Sequence, residues 1–165
     1  MIASVLSQKK IKMSETKIRR ATIEDISTIV EFNEAMALET EEKILDRSIL
    51  NSGVKAVFQD PKHGFYIICE LDQTVRASLM ITYEWSDWRN GMYMWIQSVF
   101  VQKEYRQQGL YKLMYDYVKT LVEKDSNFAG VRLYVDEKNL NAQKVYTKLG
   151  MEKSNYQLFE YTKSK

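Results

Sequence analysis

Trp95-Ile96-Gln97-Ser98-Val99-Phe100-Val101 runs into Gln102-Lys103-Glu104-Tyr105-Arg106-Gln107-Gln108-Gly109, and a helical pattern begins at Leu110. The first segment reads as a strand. The second is a polar turn. From there Leu110, Leu113, Met114, Tyr117, Val118 and Leu121 repeat on one stripe, which predicts an amphipathic helix to about Lys124. A strand that turns into a helix start collects unpaired backbone N–H groups and the positive end of the helix dipole at one point. Such a point suits a phosphate or pyrophosphate. Gly109 lets the backbone approach an anion closely, and Arg106 could offer it a two-pronged guanidinium. An ordinary connection with a solvated arginine is the alternative.

Outward from this stretch, further elements follow in both directions. Lys17 to Ala21 reads as a first strand, and Thr22 with Asp25 as a reciprocal cap. Ile26, Ile29, Val30, Asn33 and Ala37 mark a helix to about Leu38. A second helix is expected to start at Thr40-Glu41-Glu42-Lys43 and to end near Gly53. Phe65 to Leu71 and Thr74 to Glu84 flank Asp72-Gln73 as a hairpin, and Asn90-Gly91 turns the chain into Met92 to Val101. Beyond the long helix, Val131 to Val135 reads as a short buried strand and Leu140 to Leu149 as a helix stopped by Gly150. Tyr156 to Thr162 is expected to close the sheet as a last strand.

The 165 residues, 45% hydrophobic and 28% charged, are those of an ordinary globular domain able to bury a core unaided. A net charge of +2 gives no general electrostatic case for nucleic acid or an anionic membrane. No stretch approaches the roughly 20 apolar residues of a membrane span. Cys69, alone of its kind and set in an apolar run, reads as a core residue, which fits a reducing, cytoplasmic setting. His63 has no neighbouring ligand cluster, and no metal site is expected. Met1 to Ser14 is read as an unstructured leader, with the domain spanning 15–165.

The order of elements, with Val99-Phe100-Val101, Arg106-Gln107-Gln108-Gly109, Asn139-Leu140-Asn141-Ala142 and Tyr146-Thr147-Lys148-Leu149-Gly150-Met151, resembles the GNAT superfamily of acyl-CoA-dependent N-acyltransferases. The resemblance covers Ile18 to Tyr161. It implies a single α/β (α+β) domain, with a mixed, mostly antiparallel sheet of six to seven strands flanked by about four helices. It also implies acetyl-CoA as cosubstrate and an amine as acceptor; a homodimer is an open possibility. By the same resemblance, Val99, Phe100 and Val101 belong to the strand that hydrogen-bonds the pantetheine arm. Arg106, Gln107, Gln108, Gly109, Leu110 and Tyr111 form the pyrophosphate turn and helix start. Asn139 and Ala142 lie beside the cofactor at the last helix, and Tyr146 protonates the departing thiolate. Core packing is the other reading of Tyr146, and a helix cap is a compatible role for Asn139.

Two departures from the family pattern stand out. Tyr111 occupies a place where the phosphate motif has a small residue. Gln97 stands where some relatives place a carboxylate base, and an amide cannot take a proton. An alkyl ammonium must lose its proton before it attacks a thioester. Glu84 or Asp87, acting through water, or else solvent, is then the expected base. Glu84-Trp85-Ser86-Asp87-Trp88-Arg89 reads either as a cationic-substrate cage, extended by Tyr93 and Trp95, or as a solvated edge loop. From Glu24 to Asp46 eight acids face one lysine, Lys43, which either draws a cationic acceptor or is a solvated acidic helix surface. The expectation is direct acetyl transfer to a small amine such as a polyamine, amino acid or amino sugar. Peptide acetylation and a non-catalytic acyl-CoA-binding module are the alternatives.

Overall fold

The computed structural model describes residues 16–163. Five strands and four α-helices make an α+β fold. They divide into two compact units, one ending at Leu133 and the other beginning at Tyr134. In the first unit the order is β1 (Thr16–Arg20), α1 (Ile26–Glu41), α2 (Arg47–Gln59), β2 (Phe65–Leu71), β3 (Thr74–Ser86), β4 (Gly91–Val101), α3 (Leu110–Lys124) and β5 (Phe128–Arg132). The second unit carries α4 (Leu140–Lys148). The sheet runs β1-β2-β3-β4-β5, antiparallel except for the parallel pair β4–β5.

Strand alternation sorts the core onto the two sheet faces. On one face Tyr66 and Met80 pack with Ile29 and Val30 of α1 and Val54 and Val57 of α2. Their neighbours Ile67, Cys69, Leu79 and Ile81 point the other way and are fully buried, on the face where α3 brings Leu110, Met114 and Val118. Both hairpin expectations hold. Asp72 and Gln73 adopt positive φ, 52° and 59°, and Asn90 does so at 45°. Gly64 is held at φ +119° with its Cα against β3, where a Cβ would lie 1.8 Å from the Ile81 carbonyl oxygen.

Four boundaries differ from the sequence expectation, one of them the end of α2, which runs past Gly53 to Gln59. α1 continues through Thr40 and Glu41 and ends at Glu42, left-handed at φ 53°. α2 starts only at Arg47, because the Asp46 carboxylate accepts from the Ser48 and Ile49 amides. β5 lies at Phe128–Arg132 rather than 131–135. Finally, 156–162 forms no strand, so the count among the described residues is five instead of six to seven. Tyr156, Leu158, Phe159 and Tyr161 are 84%, 67%, 87% and 93% exposed; an alternating sequence becomes a strand only where its amides find a ladder partner. The proposed leader lies outside the described residues, as do 164–165. Among the described residues no helix is long and apolar enough to cross a membrane, and no group of metal-ligating side chains occurs.

Candidate active site

β4 is the element that builds the site. It pairs with β5 only from Met92 to Trp95, and the last matched pair is Trp95 with Arg132. Residues 96–101 continue alone on that side, so their edge lies open in the first unit. On its other side β4 pairs with β3, and there the register slips. Ser78 faces Phe100 and Met80 faces Gln97, so Ser98 and Val99 together oppose Leu79. This is a β-bulge, with Ser98 at φ 48°. The bulge redirects the strand beside the open edge. Its backbone polar groups are therefore available to an extended arm laid along Val99, Phe100 and Val101.

The chain leaves β4 through a short 3-10 turn, Lys103–Tyr105, and swings into α3 through Gln107 at φ 59° and Gly109 at φ 86°. The first ladder bond of α3 is Leu113 N–H to the Gly109 carbonyl, 3.1 Å. The amides of the first turn therefore point out of the helix end rather than into its ladder. Gly109 has open space where a side chain would project, with nothing within 4 Å of an added Cβ. The Gln108 amide braces the turn by donating to the Glu104 carbonyl at 2.8 Å. Tyr111, the bulky departure, is half-buried and its ring stacks on that of Tyr115, one helical turn along, at 6.3 Å. An open strand edge, a positive-φ turn and outward amides fit an arm ending in a pyrophosphate.

Arg106 goes elsewhere. Its Nε donates to the Val101 carbonyl at 2.9 Å, and both terminal nitrogens donate to the Glu39 carboxylate, Nη2 at 2.7 Å. The fork that the sequence offered to an anion is closed on a helix α1 side chain in this structure.

The acceptor-side candidates share one face of β3 and β4. The pairs Thr82–Trp95 and Glu84–Tyr93 stand opposite each other in the ladder. Gln97 donates from Nε2 to the Thr82 hydroxyl at 2.5 Å. Glu84 accepts from Arg132 Nη1 at 2.6 Å through one oxygen and from the Trp95 indole through the other. The Arg132 guanidinium also lies over the Tyr93 ring, 3.8 Å from its centre. Trp95, Glu84, Tyr93 and Gln97 are thus brought together. Trp85 alternates away from Glu84 and is 57% exposed, Trp88 is 86% exposed, and Asp87 caps its own turn by accepting from the Trp88 amide. The two outer indoles stand in solvent. Arg132 is a site residue that the sequence reading misses; β5 is half-buried rather than buried as expected, and an arginine in a half-buried strand is itself a signal that a carboxylate waits opposite.

In the second unit Asn139 caps α4, its side-chain oxygen accepting from the Ala142 amide at 3.0 Å. Tyr146 is half-buried on α4, and burial holds its phenol above the ordinary value. The acidic stretch is largely engaged within the first unit. Asp25 binds Arg19, Glu34 binds Arg47, Glu39 binds Arg106, and Asp46 caps α2.

Fold and turn together define an α+β protein whose strand edge and helix start suit an anionic, extended ligand. The sequence model of the acetyltransferase (GNAT) family matches residues 26–151, and the chain belongs to that family. Membership makes acyl transfer its chemistry and acetyl-CoA its cosubstrate. A structure described as "a possible acetyltransferase from Clostridium difficile 630" is 44% identical, with a TM-score of 0.85 over 91% of this chain and 99% of that one. Two others are alike in fold alone. A "predicted acetyltransferase with acetyl-CoA" from Clostridium acetobutylicum is 18% identical, with a TM-score of 0.73 over 88% and 96% of the two chains. An aminoglycoside acetyltransferase from an uncultured soil metagenomic sample, in complex with sisomicin, is 15% identical, with a TM-score of 0.74 over 92% and 98%. The comparison with curated protein sequences gives no match.

Proposed function

We propose that the protein transfers an acetyl group from acetyl-CoA directly to a primary amine on a small cationic acceptor, within a ternary complex. The observation that carries this reading is the open edge of β4 past Trp95, leading without interruption into the Gly109 turn and α3. Val99, Phe100 and Val101 hold the pantetheine arm by backbone hydrogen bonds. The amides from Gln107 to Tyr111 hold the pyrophosphate, and the family resemblance adds Asn139 and Ala142 as cosubstrate contacts. A direct route needs no nucleophilic thiol, and Cys69 is unsuited to be one. It is fully buried, and burial pushes its thiol up to about 11.

Proton management falls to two residues. Glu84 takes the ammonium proton through water: each of its oxygens accepts one donor, the Trp95 indole or Arg132, and keeps a lone pair for a second. Tyr146, kept neutral by burial, gives its proton to the departing sulfur. Gln97 and Trp95 orient the acceptor, with Trp85 and Asp87 at the rim.

The test is thiol release from acetyl-CoA across polyamines, amino acids, aminoglycosides and lysine peptides, run beside calorimetric titration with CoA. Turnover with a small amine supports the proposal, and preference for peptides redirects it. CoA binding with no turnover on any amine replaces it with a binding module. Absence of CoA binding removes it.

A further inference from the structure

Glu39 lies in the last turn of α1, 67 residues before Arg106, and nothing in its own surroundings marks it as functional. Yet it accepts both terminal nitrogens of the arginine at the head of the donor turn. A guanidinium has five N–H donors. Three of Arg106's go to Glu39 and to the Val101 carbonyl at the end of β4, and its charge is matched by a carboxylate. The same guanidinium lies 5.7 Å from the centre of the Phe100 ring, and Phe100 in turn packs on Phe32 of α1 at 4.9 Å. α1, the end of β4 and the start of the turn are therefore fastened at one side chain. A phosphate-binding arginine would need its fork open toward the turn's amides. This one is turned back into the protein.

We propose that Glu39 is a positioning residue of the acetyl-CoA site, acting through Arg106: the clasp fixes the turn 102–109 so that its backbone amides, rather than the arginine's charge, hold the anion. This rests on the function proposed above. The clasp also ties the donor turn to the last turn of α1. Displacement of either end disturbs the other.

The predictions separate position from charge. Glu39→Gln leaves Arg106 positive but replaces one accepting oxygen with a donor, so the fork opens. Arg106→Lys keeps the charge and cannot form the fork. If the clasp acts by position, each raises KM for acetyl-CoA about 10-fold with kcat within threefold, and Glu39→Gln/Arg106→Lys is no worse than either alone. Calorimetric affinity for free CoA falls in parallel. Glu39→Asp, which keeps two oxygens, recovers most of the loss. Tighter CoA binding by Glu39→Gln would show that the released guanidinium itself binds phosphate, and would overturn the proposal. So would unaltered affinity in Arg106→Lys, or additive losses in the double variant. Both side chains are partly exposed, so the fold should survive, and the thermal midpoint verifies that. A wild-type protein without CoA affinity defeats the functional reading; a binding wild type with indifferent variants defeats this inference alone.

Discussion

Replacing Tyr146 with Phe removes one oxygen from a half-buried side chain and leaves its ring packing in place. The size of the expected effect follows from the direction in which the phenol is moved. An ordinary phenol, near 10, already sits about 1.5 units above an ordinary thiol near 8.5, so handing its proton to a free thiolate is uphill by about 2 kcal/mol. Burial moves Tyr146 further the same way. In the proposed transfer, donation by Tyr146 must then accompany C–S cleavage, as charge develops on sulfur, rather than follow it. Its benefit belongs at the low end of general acid catalysis, about 10²-fold, or about 2.7 kcal/mol of barrier. In the wild type the phenol stays protonated through the neutral range, and kcat declines only as pH rises through its raised value. In Tyr146→Phe the plateau should drop about 10²-fold while KM for acetyl-CoA changes little, and that alkaline decline should vanish. Thiol-release kinetics from about pH 6 to about pH 11.5, past the ordinary phenol value near 10 and with acetyl-CoA saturating, measure both. A Phe variant whose plateau matches the wild type would remove Tyr146 from the chemistry.

Three further outcomes test other parts of the argument. Gly64→Ala should lose on the order of 3 kcal/mol or more in urea unfolding, because its Cβ would meet the Ile81 oxygen at 1.8 Å; Gly109→Ala, strained at φ +86° but with open space, should lose only about 1 kcal/mol, and equal losses would refute the contrast. Cys69→Ala should retain turnover within about twofold, and a loss beyond 10²-fold with the fold intact would point to an acyl-cysteine route. Burial alone would raise the Asp25 carboxyl, but hydrogen bonds from Arg19 and the Thr22 amide outweigh it and hold it below its ordinary value. Asp25 therefore adds stability above its unfolded value near 3.9, which is lost as pH falls through the lower folded value. Asp25→Asn should cost about 2 kcal/mol at pH 7, with the gap closing below about pH 4 in denaturant titrations; a gap independent of pH would contradict this.

Short-range chemistry made much of this molecule legible in advance. The hairpin at Asp72-Gln73, the Asn90-Gly91 turn and the stripe from Leu110 to Leu121 are set by residues within a few positions of one another, and each is found where it was expected. The start of α2 was misplaced because Thr40-Glu41-Glu42-Lys43 is also good helix interior, and only the Asp46 carboxylate distinguishes the true start. Distance along the chain hid the rest. Arg132 meets Glu84 across 48 residues, and Glu39 meets Arg106 across 67. Ser98 carries no mark of its positive φ, since the bulge arises from a mismatch in register between two strands. The segment 156–162 has the alternation of a strand, but alternation describes side chains and says nothing of whether an edge is there to receive the backbone.

The acidic run on α1 shows why acceptor preference cannot be taken from a sum of charges. Eight acids between Glu24 and Asp46 suggest a strongly negative border. Four of them, Asp25, Glu34, Glu39 and Asp46, are committed to Arg19, Arg47, Arg106 and a helix cap. A carboxylate already matched by a guanidinium contributes a short-ranged dipole to its surroundings, and salt shortens its reach further. Steering by the helix is then left mainly to Glu31, Glu41 and Glu42, which form no ion pair among the described residues and stand exposed. In the transferase reading proposed above, discrimination among amines then falls to the short polar face of Thr82, Glu84, Trp95 and Gln97, where contact rather than field decides. In the same reading, Glu84→Gln, which removes the proposed base, should therefore lower kcat and raise KM for the amine, and leave KM for acetyl-CoA unaffected. Removing the exposed acids Glu41 and Glu42 together should alter the salt dependence of kcat/KM by less than about twofold between 50 and 200 mM salt. A large effect of the distant pair with none at Glu84 would place recognition on the helix after all.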